Sequence, residues 1–202
     1  MMRVGVLASA SGSNFEALAT ALAAPASPAR VVVLGCNVAG ARCLERADRL
    51  GVPWFVTEHR GLTREAHDRN LVEKLKAAQV ELVCLAGYMR LVSPVLLEAF
   101  PGKVLNLHPS LLPAFPGLHA AKQALDAGVK VTGCTVHLVD QGLDTGPIVA
   151  QVAVEVMRTD DEATLLGRIH EQEHQLYVKV VRGIAEGRLR VDGRRAWLEP
   201  AA

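Results

Sequence analysis

The chain has few aromatic residues, almost no net charge and no paired cysteines. Aromatic side chains make up 4% of its 202 residues, and the formal charge at pH 7 is +1. Nucleic-acid binders need clustered basic residues for phosphate contacts, and many use aromatic rings for base stacking. The four cysteines show neither a CxxC pair nor the Cys/His spacing of a zinc site. We therefore expect neither a nucleic-acid partner nor a bound metal.

Long apolar runs are also missing. No stretch approaches the ~20 residues that a bilayer crossing requires, and the amino terminus begins as a strand without the layout of a signal peptide. We expect a cytoplasmic protein without a membrane partner, with residues 1–202 forming a single domain. A chain of this length buries roughly 70% of its unfolded surface and needs no disulfide or metal to fold. The oligomeric state stays open.

Short apolar runs alternate with stretches of helical periodicity through the first half of the chain. Near-continuous, β-branched runs are typical of strands that are buried on both faces of a parallel sheet. The predicted strands are 4–8, 31–34, 54–56, 82–86 and 104–107, and the predicted helices are 14–24, 41–50, 63–79 and 94–100. This alternation predicts a doubly wound α/β fold with a Rossmann-like first half, in which ligands bind at the carboxyl ends of the strands.

The pattern changes after residue 128. Two long strands, 129–139 and 148–156, have no room for a helix between them, which predicts an antiparallel extension of the mostly parallel sheet. A long helix then runs to about Glu186. We interpret Thr159 to Glu162 as its capping box.

The first βα turn, Ser9 to Asn14, is made of small residues and opens a helix. Backbone N–H groups at such a position can bind an anion, although the turn has neither the GxGxxG nor the P-loop spacing. The alternative is an ordinary tight turn in which Ser13 or Asn14 caps the helix.

Asn106 and His108 are unusual polar residues at the end of an apolar strand. They lie two positions apart, so their side chains leave the same face, and Pro109 ends the strand. A polar pair that merely caps the strand is the alternative. The loop from Asp140 to Pro147 could supply a carboxylate that orients the imidazole and favours its protonated form, or it could be only an Asp-Gly turn.

Glu173 lies on the apolar stripe of the long helix, within about 40° of Ile169 and Val180 at 100° per residue. A carboxylate on that face must find donors. A core ion pair and substrate hydroxyls are equally suitable partners.

Three motifs in combination resemble the phosphoribosylglycinamide formyltransferases, a folate-dependent family of purine synthesis. They are the Asn-x-His-Pro-Ser-x-Leu-Pro stretch, the Gly-Leu-Asp-Thr-Gly-Pro loop and the Ser-rich first turn. The resemblance covers essentially the whole chain, and Leu85 to Arg90 is similar to that family's folate-contacting segment. It implies 10-formyltetrahydrofolate as co-substrate, 5'-phosphoribosylglycinamide as acceptor, and direct attack by the acceptor's amine. The alternatives are a formyltetrahydrofolate hydrolase and a non-catalytic nucleotide-binding module.

The resemblance also implies residue roles, with phosphate and acceptor binding in residues 1–100 and catalysis and folate binding in 101–202. The implied catalytic residues are Asn106, His108 and Asp144. The implied acceptor-binding residues are Gly12, Ser13, Asn14 and Glu173, and the implied folate-binding residues are Arg64, Met89, Arg90, Leu91, Val92, Asp140, Gln141, Gly142 and Leu143.

The chain departs from the family pattern at two positions. Ala10 stands where glycine is usual in the first turn, and Ala114 stands where a basic residue is common. The roles of His119 and His137 stay open at this point.

Overall fold

A computed structural model describes residues 1–201, which form nine strands and six helices. The strands are β1 (Met2–Ala8), β2 (Ala29–Cys36), β3 (Trp54–Val56), β4 (Leu82–Leu85), β5 (Val104–His108), β6 (Val131–Leu138), β7 (Ile148–Glu155), β8 (Leu189–Asp192) and β9 (Arg195–Leu198). The helices are α1 (Ser13–Ala21), α2 (Arg42–Leu50), α3 (Arg64–Ala77), α4 (Pro94–Ala99), α5 (Ala120–Asp126) and α6 (Glu162–Ala185).

The chain divides into two compact units, Met1–Asn106 and the residues from Leu107 onward. In the first unit the strand order is β3-β2-β1-β4-β5, and all neighbouring pairs are parallel. The central strands β1, β4 and β5 are largely buried, as the near-continuous apolar runs predicted, while the edge strand β3 is exposed or half-buried. The prediction of a Rossmann-like, mostly parallel first half is confirmed.

The second unit is built around an antiparallel pair. Residues of β6 pair with β7 from Val131↔Glu155 to His137↔Ile148, β9 runs parallel to β7, and β8 returns antiparallel to β9. The antiparallel extension is therefore confirmed. The helix α6 packs its apolar stripe, including Leu165, Ile169 and Tyr177, against β6 and β7.

The capping box of α6 lies two residues later than the sequence indicated. Asp161 is the N-cap: its carboxylate accepts from the Thr164 N–H at 2.8 Å, and the Thr164 hydroxyl accepts from the Asp161 N–H at 2.9 Å. The interpretation with Thr159 as cap is therefore wrong. Asp160 instead holds the turn before the helix, where its carboxylate accepts from the Met157 N–H at 2.7 Å.

Three elements were not predicted, namely α5, β8 and β9. The helix α5 is short and alanine-rich and follows three prolines, so it carries little periodicity. The strands β8 and β9 have four residues each and are mostly exposed, which removes the apolar signal of a buried strand. None of the helices within residues 1–201 combines the length and the apolar composition needed to cross a membrane.

Candidate active site

The strand order of the first unit reverses between β1 and β4. The chain leaves β1 towards β2 on one side, while β4 and β5 lie on the other side. Connections that follow two such strands diverge and leave a crevice at the carboxyl edge of the sheet. The connection after β1 is the Ser9 to Asn14 turn, and the connection after β4 is the segment 86–93. Both were singled out from the sequence.

The Ser9 to Asn14 turn depends on a glycine. Gly12 is the N-cap of α1, with a φ of 74°, and no side chain in the described part of the chain caps this helix. The alternative with Ser13 or Asn14 as cap is therefore wrong. A Cβ on Gly12 would lie 2.5 Å from the Cβ of Cys43, the second residue of α2. This turn therefore requires glycine, and a helix N-terminus that opens on such a turn is a type of position that can bind an anion.

Arg46, which the sequence analysis did not single out, supports the same turn from α2. Its Nε donates to the carbonyl of Ser11 at 2.8 Å, and its guanidinium also pairs with Glu16 in the first turn of α1. Ala10, one of the departures from the family pattern, is exposed, and its carbonyl accepts from the Cys43 N–H at 3.0 Å. The turn is therefore tied to α2 through its backbone.

Ser9 joins the two connections that flank the crevice. Its N–H donates to the Gly87 carbonyl at 3.1 Å, and its hydroxyl accepts from the Met89 N–H at 2.9 Å. The same hydroxyl donates to Oδ1 of Asn37 at 2.6 Å, and Nδ2 of Asn37 lies 3.3 Å from Nδ1 of His59. This chain of hydrogen bonds holds the backbone of Met89, which begins the implied folate-binding segment from Met89 to Val92.

His108 is the last residue of β5 and is almost fully buried. Its Nε2 donates to the carbonyl of Phe115 at 2.8 Å, and its Nδ1 lies 3.4 Å from Oδ2 of Asp144. The side chains of His108 and Asp144 are 6% and 8% exposed, so their mutual attraction is screened much less than at the surface. The structure therefore brings this imidazole and this carboxylate together, although 36 positions separate them in sequence.

Asp144 is held from three directions. The Gly117 N–H donates to its Oδ2 at 2.9 Å, and Nε2 of His137 lies 3.6 Å from its Oδ1. Burial by itself raises the pKa of the Asp144 carboxyl. The hydrogen bonds from His137 and Gly117, together with the charges of His108 and His137, outweigh burial and lower that pKa below its ordinary value of 3.8. The carboxylate form is therefore favoured at neutral pH.

His137 is the residue that the sequence analysis left open and the structure connects to the pair. It is 2% exposed, and its Nδ1 donates to the carbonyl of Leu138 at 2.9 Å, so Nε2 faces Asp144. The one available signal was a histidine within an apolar strand just before the Asp140 loop. His119, in contrast, is 73% exposed on its side chain, with Nδ1 3.4 Å from a carboxylate oxygen of Glu162.

The other implied site residues fall into three places. Arg64 is the first residue of α3 and is exposed. Met89 and Leu91 are 63% and 52% exposed, and they alternate along the chain with half-buried Arg90 and Val92. In the loop from Asp140 to Leu143, the Asp140 carboxylate accepts from the Gly142 N–H at 3.0 Å and so fixes the turn. Gln141, Gly142 and Leu143 are exposed.

Glu173 is 3% exposed on α6, as its place on the apolar stripe predicted. Its Oε2 lies 3.8 Å from Nε2 of His170. Burial lowers the pKa of His170, and the charge of His174 lowers it further. His170 is therefore a poor permanent counter-ion for Glu173. Within residues 1–201, no group of three or more His, Cys, Asp or Glu side chains is placed to hold a metal ion.

The chain has an α/β fold, and a buried imidazole–carboxylate pair such as His108 and Asp144 is an arrangement that can carry out acid–base chemistry. The formyl transferase family model matches residues 2–181. The chain belongs to the formyl transferase family.

Individual relatives agree with this assignment. The chain is 46% identical to the phosphoribosylglycinamide formyltransferase of Bacillus subtilis, over 90% of this chain and 94% of that protein. It is 47% identical to a trifunctional purine biosynthetic protein of Drosophila pseudoobscura, but it spans only 14% of that protein's length. The crystal structure of glycinamide ribonucleotide transformylase 1 from Symbiobacterium toebii superposes with a TM-score of 0.96 at 49% identity, over 99% of this chain and 95% of that one.

Proposed function

We propose that this chain transfers the formyl group of 10-formyltetrahydrofolate to the amine of 5'-phosphoribosylglycinamide, a step of de novo purine synthesis. The observation that carries the proposal is the buried pair of His108 and Asp144, whose Nδ1 and Oδ2 atoms are 3.4 Å apart. His108 lies two residues beyond Asn106 on β5. Family membership specifies the group that such a pair would help to move, and the relatives named above act in purine synthesis.

The reaction needs no nucleophile from the protein, because the acceptor's amine attacks the formyl carbon. A tetrahedral oxyanion forms, the bond from the formyl carbon to N10 of the folate breaks, and the amine proton ends on N10. The barrier falls when the oxyanion receives hydrogen bonds and the two proton movements are assisted. Asn106, whose amide can donate an N–H, lies near the end of β5 and suits the first task.

Asp144 suits the second task through His108. A carboxylate held ionised beside an imidazole stabilises the imidazolium that forms whenever the ring takes up a proton. The lowered pKa of Asp144 supports this role, because a protonated carboxyl could not provide the charge. In this proposal His108 takes the proton from the attacking amine and delivers it to the departing nitrogen.

Substrate binding is proposed for the remaining implied residues. The acceptor phosphate would bind at Gly12, Ser13 and Asn14, where a helix N-terminus offers N–H groups, and Glu173 would bind ribose hydroxyls. The folate would contact Arg64, the segment from Met89 to Val92 and the loop from Asp140 to Leu143. The exposed apolar side chains of Met89 and Leu91 suit a flat pterin or benzoyl ring.

The deciding experiment supplies 10-formyltetrahydrofolate with and without 5'-phosphoribosylglycinamide and follows both formylated acceptor and free formate. We expect acceptor-dependent transfer with little formate. Formate release that does not depend on the acceptor would establish the hydrolase instead, and no reaction in either mixture would leave only a binding module. The His108→Ala variant controls for contaminating activity.

A further inference from the structure

Two backbone groups of one short segment contact the His108–Asp144 pair. The carbonyl of Phe115 accepts from Nε2 of His108 at 2.8 Å, and the N–H of Gly117 donates to Oδ2 of Asp144 at 2.9 Å. Only Pro116 separates the two groups. A stretch of three residues therefore contacts both members of the pair without using any side chain.

The segment has an unusual backbone conformation. Phe115 has a φ of 54° and Gly117 has a φ of 81°, both in the left-handed region. Bulky residues rarely adopt this region, and they keep it only where the surroundings enforce it. Here Gln123 provides part of that support, because its Nε2 donates to the carbonyls of Pro116 and Leu118 at 3.1 and 2.9 Å.

The contact with Phe115 determines which nitrogen of His108 carries a fixed proton. An unprotonated Nε2 at 2.8 Å from a carbonyl oxygen would set two lone pairs against each other. Nε2 therefore keeps its hydrogen in both charge states of the ring. The exchangeable proton must lie on Nδ1, which faces Oδ2 of Asp144.

We propose that Phe115 and Gly117 are positioning residues whose left-handed backbone fixes the tautomer of His108 and leaves Nδ1 as the nitrogen that gives and takes the proton. The proposal deepens the proposed formyl transfer and rests on the roles given there to His108 and Asp144. It assigns the function to the backbone of Phe115 and not to its ring.

The test compares substitutions that differ in their tolerance of a positive φ. Phe115→Val introduces a β-branched residue that resists this conformation, whereas Phe115→Asn introduces a residue that accepts it. Gln79→Val is the matched control, because Gln79 has the same φ of 54° and is exposed in the connection from α3 to β4. It carries the same backbone cost without a contact to the pair.

We expect Phe115→Val to lower kcat about 10- to 100-fold with both KM values within about twofold, because small misplacements of catalytic groups have effects of this size. Phe115→Asn and Gln79→Val should keep at least about half of the wild-type kcat. Equal damage in Phe115→Val and Phe115→Asn would assign the effect to the ring, and an unimpaired Phe115→Val enzyme would also overturn the proposal.

A second measurement needs no substitution at position 115, so it does not depend on whether such a variant folds. In ¹⁵N NMR of the full-length protein, with the His108 signals assigned from the His108→Ala variant, the neutral ring should carry its proton on Nε2. A neutral ring protonated on Nδ1 would refute the fixed tautomer. This result is independent of activity: absence of formyl transfer in the wild type would remove the proposed function, while the tautomer would still report on the backbone contact.

Discussion

The two compact units prepare their candidate site residues by different means. In the first unit, the turn at Gly12 is held by close packing on Cys43 and by Arg46, and the backbone of Met89 is held by a hydrogen bond to the Ser9 hydroxyl. In the second unit, the buried carboxylate of Asp144 lies 3.4 Å from Nδ1 of His108 and accepts a hydrogen bond from the Gly117 N–H. A backbone amide keeps its character at any pH, whereas a buried carboxylate requires partners to stay ionised.

This difference leads to distinct expectations for mutations. Changes in the first unit should weaken substrate binding and the fold around it, while changes to the His108–Asp144 pair should lower turnover. Loss of an interaction that is already made in the ground state raises KM, whereas loss of an interaction made only in the transition state lowers kcat. The following predictions test this division.

The largest effect is expected from His108→Ala. The variant loses the proposed proton carrier, so kcat should fall by about 10²–10⁴, while both KM values stay within about threefold. Steady-state kinetics with each substrate varied in turn measures this. A rise in KM at unchanged kcat would place His108 among the binding groups and break the comparison.

Gly12→Ala should have the next largest effect. The added methyl group meets the Cβ of Cys43 at 2.5 Å and also imposes a φ of 74° on alanine. We expect the free energy of unfolding to fall by about 2–4 kcal/mol, measured by urea denaturation, and KM for the acceptor to rise. Gly40→Ala is the control, since Gly40 has a φ of 72° but no atom within 4 Å of the added group. A similar loss in both variants would show that packing on Cys43 is unimportant.

Ser9→Ala should have a moderate effect that falls on folate binding. The variant leaves the Met89 N–H and Oδ1 of Asn37 without their hydroxyl partner, at a cost of about 1–3 kcal/mol. We expect KM for formyl-folate to rise about tenfold with kcat little changed. Ser9→Thr should restore binding. Thr57→Val removes a buried hydroxyl that makes no hydrogen bond within residues 1–201, and it should leave KM unchanged.

The smallest effect concerns the pH dependence of stability. A carboxyl whose pKa is lowered on folding stabilises the native state above its ordinary pKa of 3.8, and this contribution is lost as the pH falls through the lowered value. Asp144→Asn should therefore lose stability at neutral pH and show a shallower decline below pH 3.8. Urea unfolding at several pH values provides the measurement, and parallel curves for the two proteins would contradict the expectation.

Much of the fold could be predicted because its apolar pattern is strong. The first-half strands and helices, the antiparallel pair β6 and β7, and the long helix α6 follow from periods and turn residues. The cap of α6 was assigned two residues early, since Thr159 and Asp161 both precede a suitable partner and local sequence does not choose between them. The family assignment and the formyltransferase class are confirmed, while the roles of individual site residues stay predictions.

The contacts around the candidate catalytic pair were only partly visible in the sequence. His108 and Asp144 were singled out by motif and resemblance, and their proximity is a finding of the structure. His137 carried no distinguishing motif. The backbone groups of Phe115 and Gly117 could not have been named at all, because any residue supplies a carbonyl and nearly any residue supplies an N–H.

The sequence by itself determined the layers of this protein, the ends of its main strands and the chemical groups available at those ends. These follow from local preferences and from the periodic placement of apolar side chains, which each segment carries on its own. Tertiary structure alone decided which distant groups meet, such as Gly117 with Asp144 and Ser9 with Met89. Such contacts depend on the positions of several segments at once, and no single stretch of chain encodes them.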